Sequence, residues 1–355
     1  MRALRFHGNK DVRVDEIPEP ALRPGWVKVK NAWAGICGSD LHEYSIGPMN
    51  APTKPHILTG ESLPSVLGHE FAGTIVELGE GVTDLEVGQK VAVFPVLSDH
   101  TCYWCQEETY GLCEKWGFLG YSGYGGGMAQ YICIDKEAIH KLPDNMPLDV
   151  GALVEPLAVA WHAVKLSKVG PEHHCLVVGA GPIGIATVHC LLAHGVRSVI
   201  VSEPSPARMQ HAKDAGASYV LDATKEDVPA FCKKIADGYG VHAAFECAGI
   251  QAAFDVALAS VRGKGAIINI SIFENPLVIK TPNLINRRSI SYIGSNIYTR
   301  VEFQEVIDAI ASGRIKAPEK MITGRVSLDD AVDKGFRVLL DQKDKHVKVL
   351  VDPWA

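Results

Sequence analysis

The stretch CLVVGAGPIG at residues 175–184, followed by SVIVSE at 198–203, decides the fold. A short apolar run ends in a G-x-G-x-x-G formed by Gly179, Gly181 and Gly184, and from Pro182 and Ile183 onward the spacing is helical. The glycines alone are a weak signal, and a plain structural turn is the alternative. A strand before them and a helix after them give the pattern its force. In that setting they allow a tight turn, close backbone approach to a pyrophosphate, and close helix–strand packing. The helix start adds free N–H groups and the positive end of a dipole. SVIVSE ends at Glu203, about twenty residues beyond the last glycine, where an acid accepts hydrogen bonds from the hydroxyls of an adenosine ribose. That acid repels a 2′-phosphate, so NAD is expected rather than NADP. Arg208 falls inside the next helical pattern and is not assigned to a phosphate.

Outward from this unit, strand and helix patterns alternate. Helices are predicted near 151–167, 183–194, 205–215, 228–236, 252–260 and 302–312. The strands between them are SYVLD, AAFECAG, GAIINI and a segment at 290–295. Such alternation implies a parallel sheet covered on both faces. The first 150 residues read differently. Short alternating runs at 2–6, 26–34, 71–78, 90–94 and 128–134 are separated by Gly, Pro and Asp turns, as in a small barrel or sandwich with long loops. A closing strand is predicted at 347–351. The expected architecture is an α/β chain with a β-rich domain over 1–154 and 293–355. An inserted doubly wound cofactor domain occupies 155–292.

Composition narrows the function. The chain has 355 residues, enough for about two domains. With 35 basic and 41 acidic residues its net charge of −6 argues against a nucleic-acid partner. No apolar run is long enough to span a membrane. The opening residues alternate like a strand and lack the apolar block of a signal peptide, so a cytoplasmic protein is expected. Nine cysteines include a cluster of Cys102, Cys105 and Cys113, a spacing that reads as metal ligation rather than disulfides.

Three further segments carry metal-ligand chemistry: Cys37 in GICGSDLH, His69-Glu70 in LGHEFAG, and Glu155 in LVEPLA. Thiolate, imidazole and carboxylate all suit zinc, and a catalytic site leaves one position open. Singly, each has a plain alternative: a buried thiol, a hydrogen-bonded loop histidine, an acid at a helix start. Sequence spacing does not show that they converge.

These residues carry a resemblance. Gly68-His69-Glu70 with Gly73, Gly79 and Val82 is similar to the signature of the zinc-dependent medium-chain dehydrogenase/reductase family. The Cys37-to-His42 segment, the cysteine lobe, Glu155-Pro156 and the 179–203 unit follow in that family's order. The segments HEY, LTGESLPSVLGHEFAGTIVELG and GFLGYSGYGGGMAQY resemble its polyol branch. The resemblance covers essentially the whole chain. It implies a GroES-like catalytic domain beside a Rossmann domain, with Cys37, His69 and Glu155 as zinc ligands and Glu70 as a fourth or alternating one. It implies that Ser39 takes the substrate's hydroxyl proton and passes it through the ribose to His42, one turn away on a short helix. Helix capping is the plain reading of Ser39, and an ordinary surface position that of His42.

The implied activity is NAD-dependent interconversion of a vicinal diol and a hydroxyketone, butane-2,3-diol and acetoin. Dehydrogenases of the sorbitol, xylitol or threonine type stay open, as does a zinc-free NADPH reductase of quinones or enones. A homodimer or homotetramer is implied as well. In the lobe, the family's first cysteine is replaced by Asp99, giving Asp99, Cys102, Cys105 and Cys113 as ligands of a structural zinc. A lobe without metal, and His100 as the substitute ligand, are the competing readings. Tyr44, at the head of a proline-rich loop over 44–67, is either a substrate-pocket residue or a packed aromatic. A second glycine cluster at 120–127 leads into a strand and not a helix, so it reads as a flexible turn.

Overall fold

The computed structural model describes residues 1–355, which form two compact units. The first comprises Met1–Glu155, Thr299–Ile307 and Ile322–Ala355; the second comprises Pro156–Tyr298 and Asp308–Met321. The division differs from the expected boundaries at one end. Strand Ser291–Gly294 pairs in parallel with Val261–Asn269, which keeps residues 293–298 in the second unit. Helix Arg300–Ala311 then contributes to both units, and Pro318–Met321 returns to pack on helix Pro182–Ala193 of the second.

The first unit is built on a mixed, largely antiparallel sheet. Its order is Ile139–Lys141, Lys90–Val93, Glu70–Leu78, Trp26–Gly35, Lys348–Asp352 and Ile322–Ser327, and Tyr131–Asp135 also pairs with Trp26–Gly35. Register decides what meets at its end. Trp26–Gly35 lies antiparallel to three strands, and Gly35 itself is opposite Glu70 on one side and opposite Leu350 on the other. The residues just beyond Gly35 therefore emerge beside His69 and beside Lys348. The opening segment is not one strand: a turn at Asn9 and Lys10 (φ 57°) folds Arg2–Gly8 onto Asp11–Glu16. Strand Ile322–Ser327 carries no alternation signal, because it is a sheet edge with only partly buried side chains.

The second unit holds a six-stranded sheet in which every pairing is parallel. The order is Tyr219–Leu221, Ser198–Ser202, His174–Val178, Val241–Glu246, Val261–Asn269, Ser291–Gly294. In chain order this is 3-2-1-4-5-6, the doubly wound arrangement that switches direction beside its first strand. His174–Val178 and Ser198–Ser202 are buried at every residue, as strands covered on both faces must be. Leu176, Ile200, Phe254 and Ile267 form the centre of one core. The predicted helices appear within a few residues of expectation. Pro182–Ala193 and Pro206–Asp214 start on a proline and Val228–Ile235 has one at its second residue, positions in the first turn where the missing N–H costs nothing. Helix Pro282–Arg288 has no periodic signal because none of its residues is buried. No helix is long and apolar enough to cross a membrane.

Candidate active site and cofactor site

In the first unit, Cys37, His69 and Glu70 bring one ligand atom each to within 4.8 Å of one another. Cys37 is the N-cap of helix Gly38–Ile46, and its N–H donates to Asp40 Oδ2 at 2.9 Å. Ser39 lies inside the first turn, so it is not the cap. Its Oγ is 3.4 Å from His69 Nε2 and 2.9 Å from the Tyr121 hydroxyl. That hydroxyl is also 2.9 Å from Asp40 Oδ1. An ionised carboxylate only accepts, so Tyr121 donates its single proton to Asp40 and accepts from Ser39.

The site is negative and largely buried. Burial disfavours charge on His69, yet Asp40, Cys37 and Glu155 outweigh it and raise the imidazole pKa to about 10. Asp40 is pushed up by its own burial, against the pull of His69 and the Cys37 N–H. His69 Nδ1 is buried without a hydrogen-bond partner, and Asp40 Oδ1 stands 3.7 Å from it. A soft and hard donor set, an excess of negative charge and an orphaned imidazole nitrogen all fit a divalent cation such as zinc.

Glu70 is committed elsewhere. Both its carboxylate oxygens accept from Lys348 Nζ at 2.6 Å, and both residues are buried. Burial lowers the Lys348 pKa, but Glu70 and then Cys37 reverse this and hold the ammonium charged. A Cβ on Gly35 would stand 2.1 Å from Glu70 Oε2, so this carboxylate needs glycine opposite it. Glu155 is buried near the start of helix Val154–Ser167 and acts on both His69 and Lys348. It is not part of the 4.8 Å cluster, whose carboxylate is Glu70.

Sequence reading missed Asp40, Tyr121 and Lys348 as parts of this site. Tyr121 comes from the 120–127 glycine cluster, which is a run of turns and bends that leads into strand Tyr131–Asp135, as expected. Gly127 N–H donates to Gly68 O at 2.7 Å and Met128 N–H to Leu67 O at 2.9 Å, so the cluster braces the segment that carries His69. Tyr44 is buried with its ring 5.8 Å from Phe336 and its hydroxyl bonded to Arg337, the contacts of a packed aromatic. The loop after it is anchored by buried Glu43, whose carboxylate accepts from the N–H groups of Met49, Asn50 and Ala51. His42 is half-buried on the same helix as Ser39.

The cysteine lobe is a second cluster. Asp99, Cys102, Cys105 and Cys113 offer ligand atoms within 4.8 Å of one another. Cys102 Sγ and Cys105 Sγ are 3.6 Å apart, and Cys105 Sγ is 3.4 Å from Asp99 Oδ1. Four ligands around zinc with bonds of about 2.3 Å have edges of about 3.8 Å, so the spacing suits one ion. The N–H groups of Thr101 and Cys102 hold the Asp99 carboxyl far below its usual range. Burial pushes the Cys105 thiol up to about 12. His100 is exposed, with φ 55° and its ring against Tyr110, outside the cluster.

In the second unit the glycine motif sits where the first strand meets its helix. Gly179 has φ +97°, a left-handed turn that favours glycine. A Cβ on Gly184 would lie 2.0 Å from Gly179 O, so helix and strand touch only because it is absent. An added Cβ on Gly181, the helix N-cap, meets nothing within 4 Å. Its bareness matters to whatever approaches the free N–H groups there, as a pyrophosphate does. Glu203 is buried and accepts from Ala180 N–H at 2.7 Å and Ser205 N–H at 2.9 Å. Two of about four acceptor positions are thus filled and two are left for ribose hydroxyls.

Comparison with known proteins agrees with both units. Residues 23–144 match the alcohol dehydrogenase GroES-like domain, and residues 182–312 match the zinc-binding dehydrogenase domain. The (R,R)-butanediol dehydrogenase of Bacillus subtilis is 41% identical over 99% of this chain and 100% of its own. A sorbitol dehydrogenase of the same organism is 32% identical over 99% and 97%. The crystal structure of 2R,3R-butanediol dehydrogenase from Bacillus subtilis superposes with a TM-score of 0.92 at 39% identity, covering 99% of both chains.

Proposed function

The chain belongs to the zinc-binding alcohol dehydrogenases of the medium-chain dehydrogenase/reductase family, in its polyol branch, and on that premise we propose that it interconverts butane-2,3-diol and acetoin with NAD. The observation that carries this reading is the Cys37–His69–Glu70 cluster, half-buried at Cys37 and buried at the other two, with Ser39 Oγ against His69, in a chain so similar to butanediol dehydrogenases. Cys37 and His69 hold the catalytic ion. Glu155 closes the shell, since Lys348 occupies both oxygens of Glu70. Zinc held there supplies a Lewis acid that lowers the pKa of a bound alcohol, and NAD supplies the hydride acceptor.

The residues of the chain manage the proton. Tyr121 donates to Asp40, so Ser39 directs its O–H toward the Tyr121 oxygen and keeps its lone pairs for the substrate's hydroxyl. His42, on the next turn of the same helix, is the proton's destination toward solvent. Glu203, with its remaining acceptor positions, selects NAD by binding the ribose hydroxyls.

A substrate panel tests this. The separate butane-2,3-diol stereoisomers, sorbitol, xylitol and threonine are offered with NAD and with NADP, before and after zinc chelation. One diol stereoisomer with NAD is expected to be oxidised fastest, with activity lost on chelation and restored by zinc. Preference for sorbitol would move the chain to the activity named for its 32% relative. NADP-dependent activity indifferent to chelators would overturn the proposal.

The lobe gives a second expectation. Purified protein should contain about two zinc ions per chain, one at the catalytic cluster with its open position and one in the four-ligand lobe. Cys105→Ser should lose one of them and melt at a lower temperature, while the residual folded enzyme still turns over. One zinc per chain in both proteins would leave the lobe held by packing alone.

A further inference from the structure

The second unit has a cavity at the end of its sheet where the strands begin, opposite the end that carries the glycine motif. It has a volume of about 570 Å3, within the range of small-molecule sites. Its wall includes Lys168, His173, His242, Arg262 and Lys264, and no carboxylate. Ligands of doubly wound sheets bind at the other end, so the cofactor does not explain this cavity.

Counting protons gives the cavity its character. His173 Nδ1 accepts from Gly170 N–H at 3.1 Å, and His242 Nδ1 accepts from His174 N–H at 3.2 Å. The rings stack with centroids 4.1 Å apart and planes at 18°. An imidazole whose Nδ1 accepts carries its proton on Nε2. Arg262 Nη1 nevertheless stands 2.8 Å from His242 Nε2, and a guanidinium has only donors to offer. Moving the proton to Nδ1 only shifts the conflict to the His174 N–H. A neutral His242 therefore faces one donor too many. It is neutral: burial, then His173 and Arg262, press its pKa down to about 4. Of the acids near this end, Asp237 acts on His174 and Glu172 lies 4.0 Å from Arg197, and neither lines the cavity. Lys168 and Lys264 are exposed and both hold left-handed backbone, φ 55° and 61°, which side chains rarely adopt without support from their surroundings.

We propose that this cavity is a binding site for a multiply charged oxyanion, a phosphate or polycarboxylate group on a small metabolite. The anion supplies the missing acceptor: the Arg262 guanidinium and His242 Nε2–H both donate to it, and the two lysines complete the charge. Charge-assisted bonds of this kind are the strong ones, and the planar guanidinium suits either oxyanion. The site stands independently of the dehydrogenase reading, since it uses none of the residues assigned to substrate, zinc or NAD.

The test is calorimetric titration of the full-length protein with pyrophosphate and with citrate at constant ionic strength, with NADH saturating so that the glycine motif is filled. One anion is expected to bind at one site per chain; pyrophosphate as the tighter ligand identifies a phosphate site, citrate a carboxylate site. Arg262→Gln should weaken binding at least about tenfold, the loss of one charge-assisted partner. Lys264→Gly, at an exposed position whose backbone already favours glycine, should weaken it severalfold with unchanged fold and NADH affinity. The proposal falls if neither anion binds at about 10 mM, or if both variants bind as the parent does, which would place the anion elsewhere.

Discussion

Replacing Cys37 by serine, or His69 by alanine, is expected to lower kcat at least about a thousandfold while NADH binds as before. A Lewis acid contributes several kcal/mol to a developing negative charge, and each 1.36 kcal/mol is about a factor of ten. Cys37 and His69 are the two members of the cluster with no competing cation, whereas Glu70 is already held by Lys348. Losing either should remove one zinc per chain, so metal content and turnover fall together. NADH affinity is the control, because Gly179, Gly181, Gly184 and Glu203 belong to the other compact unit. Near-normal turnover in either variant would show that the cluster is not the catalytic centre. Loss of turnover with full zinc content would instead assign these residues to folding or substrate contact.

What could be read beforehand divides along a physical line. Strands buried on both faces announce themselves as unbroken apolar runs, so His174–Val178 and Ser198–Ser202 were legible, and with them the parallel sheet. The glycines at 179 and 184 were legible because backbone geometry alone demands them. Asp99 was legible by its place in a spaced motif, and the structure brings it within reach of the three cysteines.

Pairing across the sheet leaves no such trace. Lys348 opens the last strand and reads as a surface cation. Only the antiparallel register between Trp26–Gly35 and Lys348–Asp352 delivers it to Glu70, 278 residues away in the chain. Tyr121 was hidden for a related reason. A glycine-rich run looks like slack chain, although backbone hydrogen bonds to Leu67 and Gly68 tie it to the segment that carries His69. The carboxylate of the metal cluster was ambiguous because Glu70 and Glu155 are both plausible ligands by type. Spacing does not separate them; the structure puts Glu70 in the cluster and pairs it with the buried charge of Lys348.

That buried charge leads to the second large effect. Lys348→Met should destabilise the protein by about 3–5 kcal/mol, because the Glu70 carboxylate is left buried without its counter-charge. In a protein of this size the melting midpoint should drop by about 4–7 °C. Adding Glu70→Gln should recover most of the loss, since a neutral amide beside methionine carries no unpaired charge and a buried ion pair adds little net stability of its own. Zinc content read alongside gives a further measure. With Lys348 gone, both oxygens of Glu70 are released beside Cys37 and His69, so zinc should be retained at least as tightly as in the parent. A melting midpoint unchanged by Lys348→Met would mean that Glu70 is compensated by another group. A double variant no more stable than the single one would place the role of Lys348 in the hydrogen bond it donates to Ile36 O rather than in its charge on Glu70.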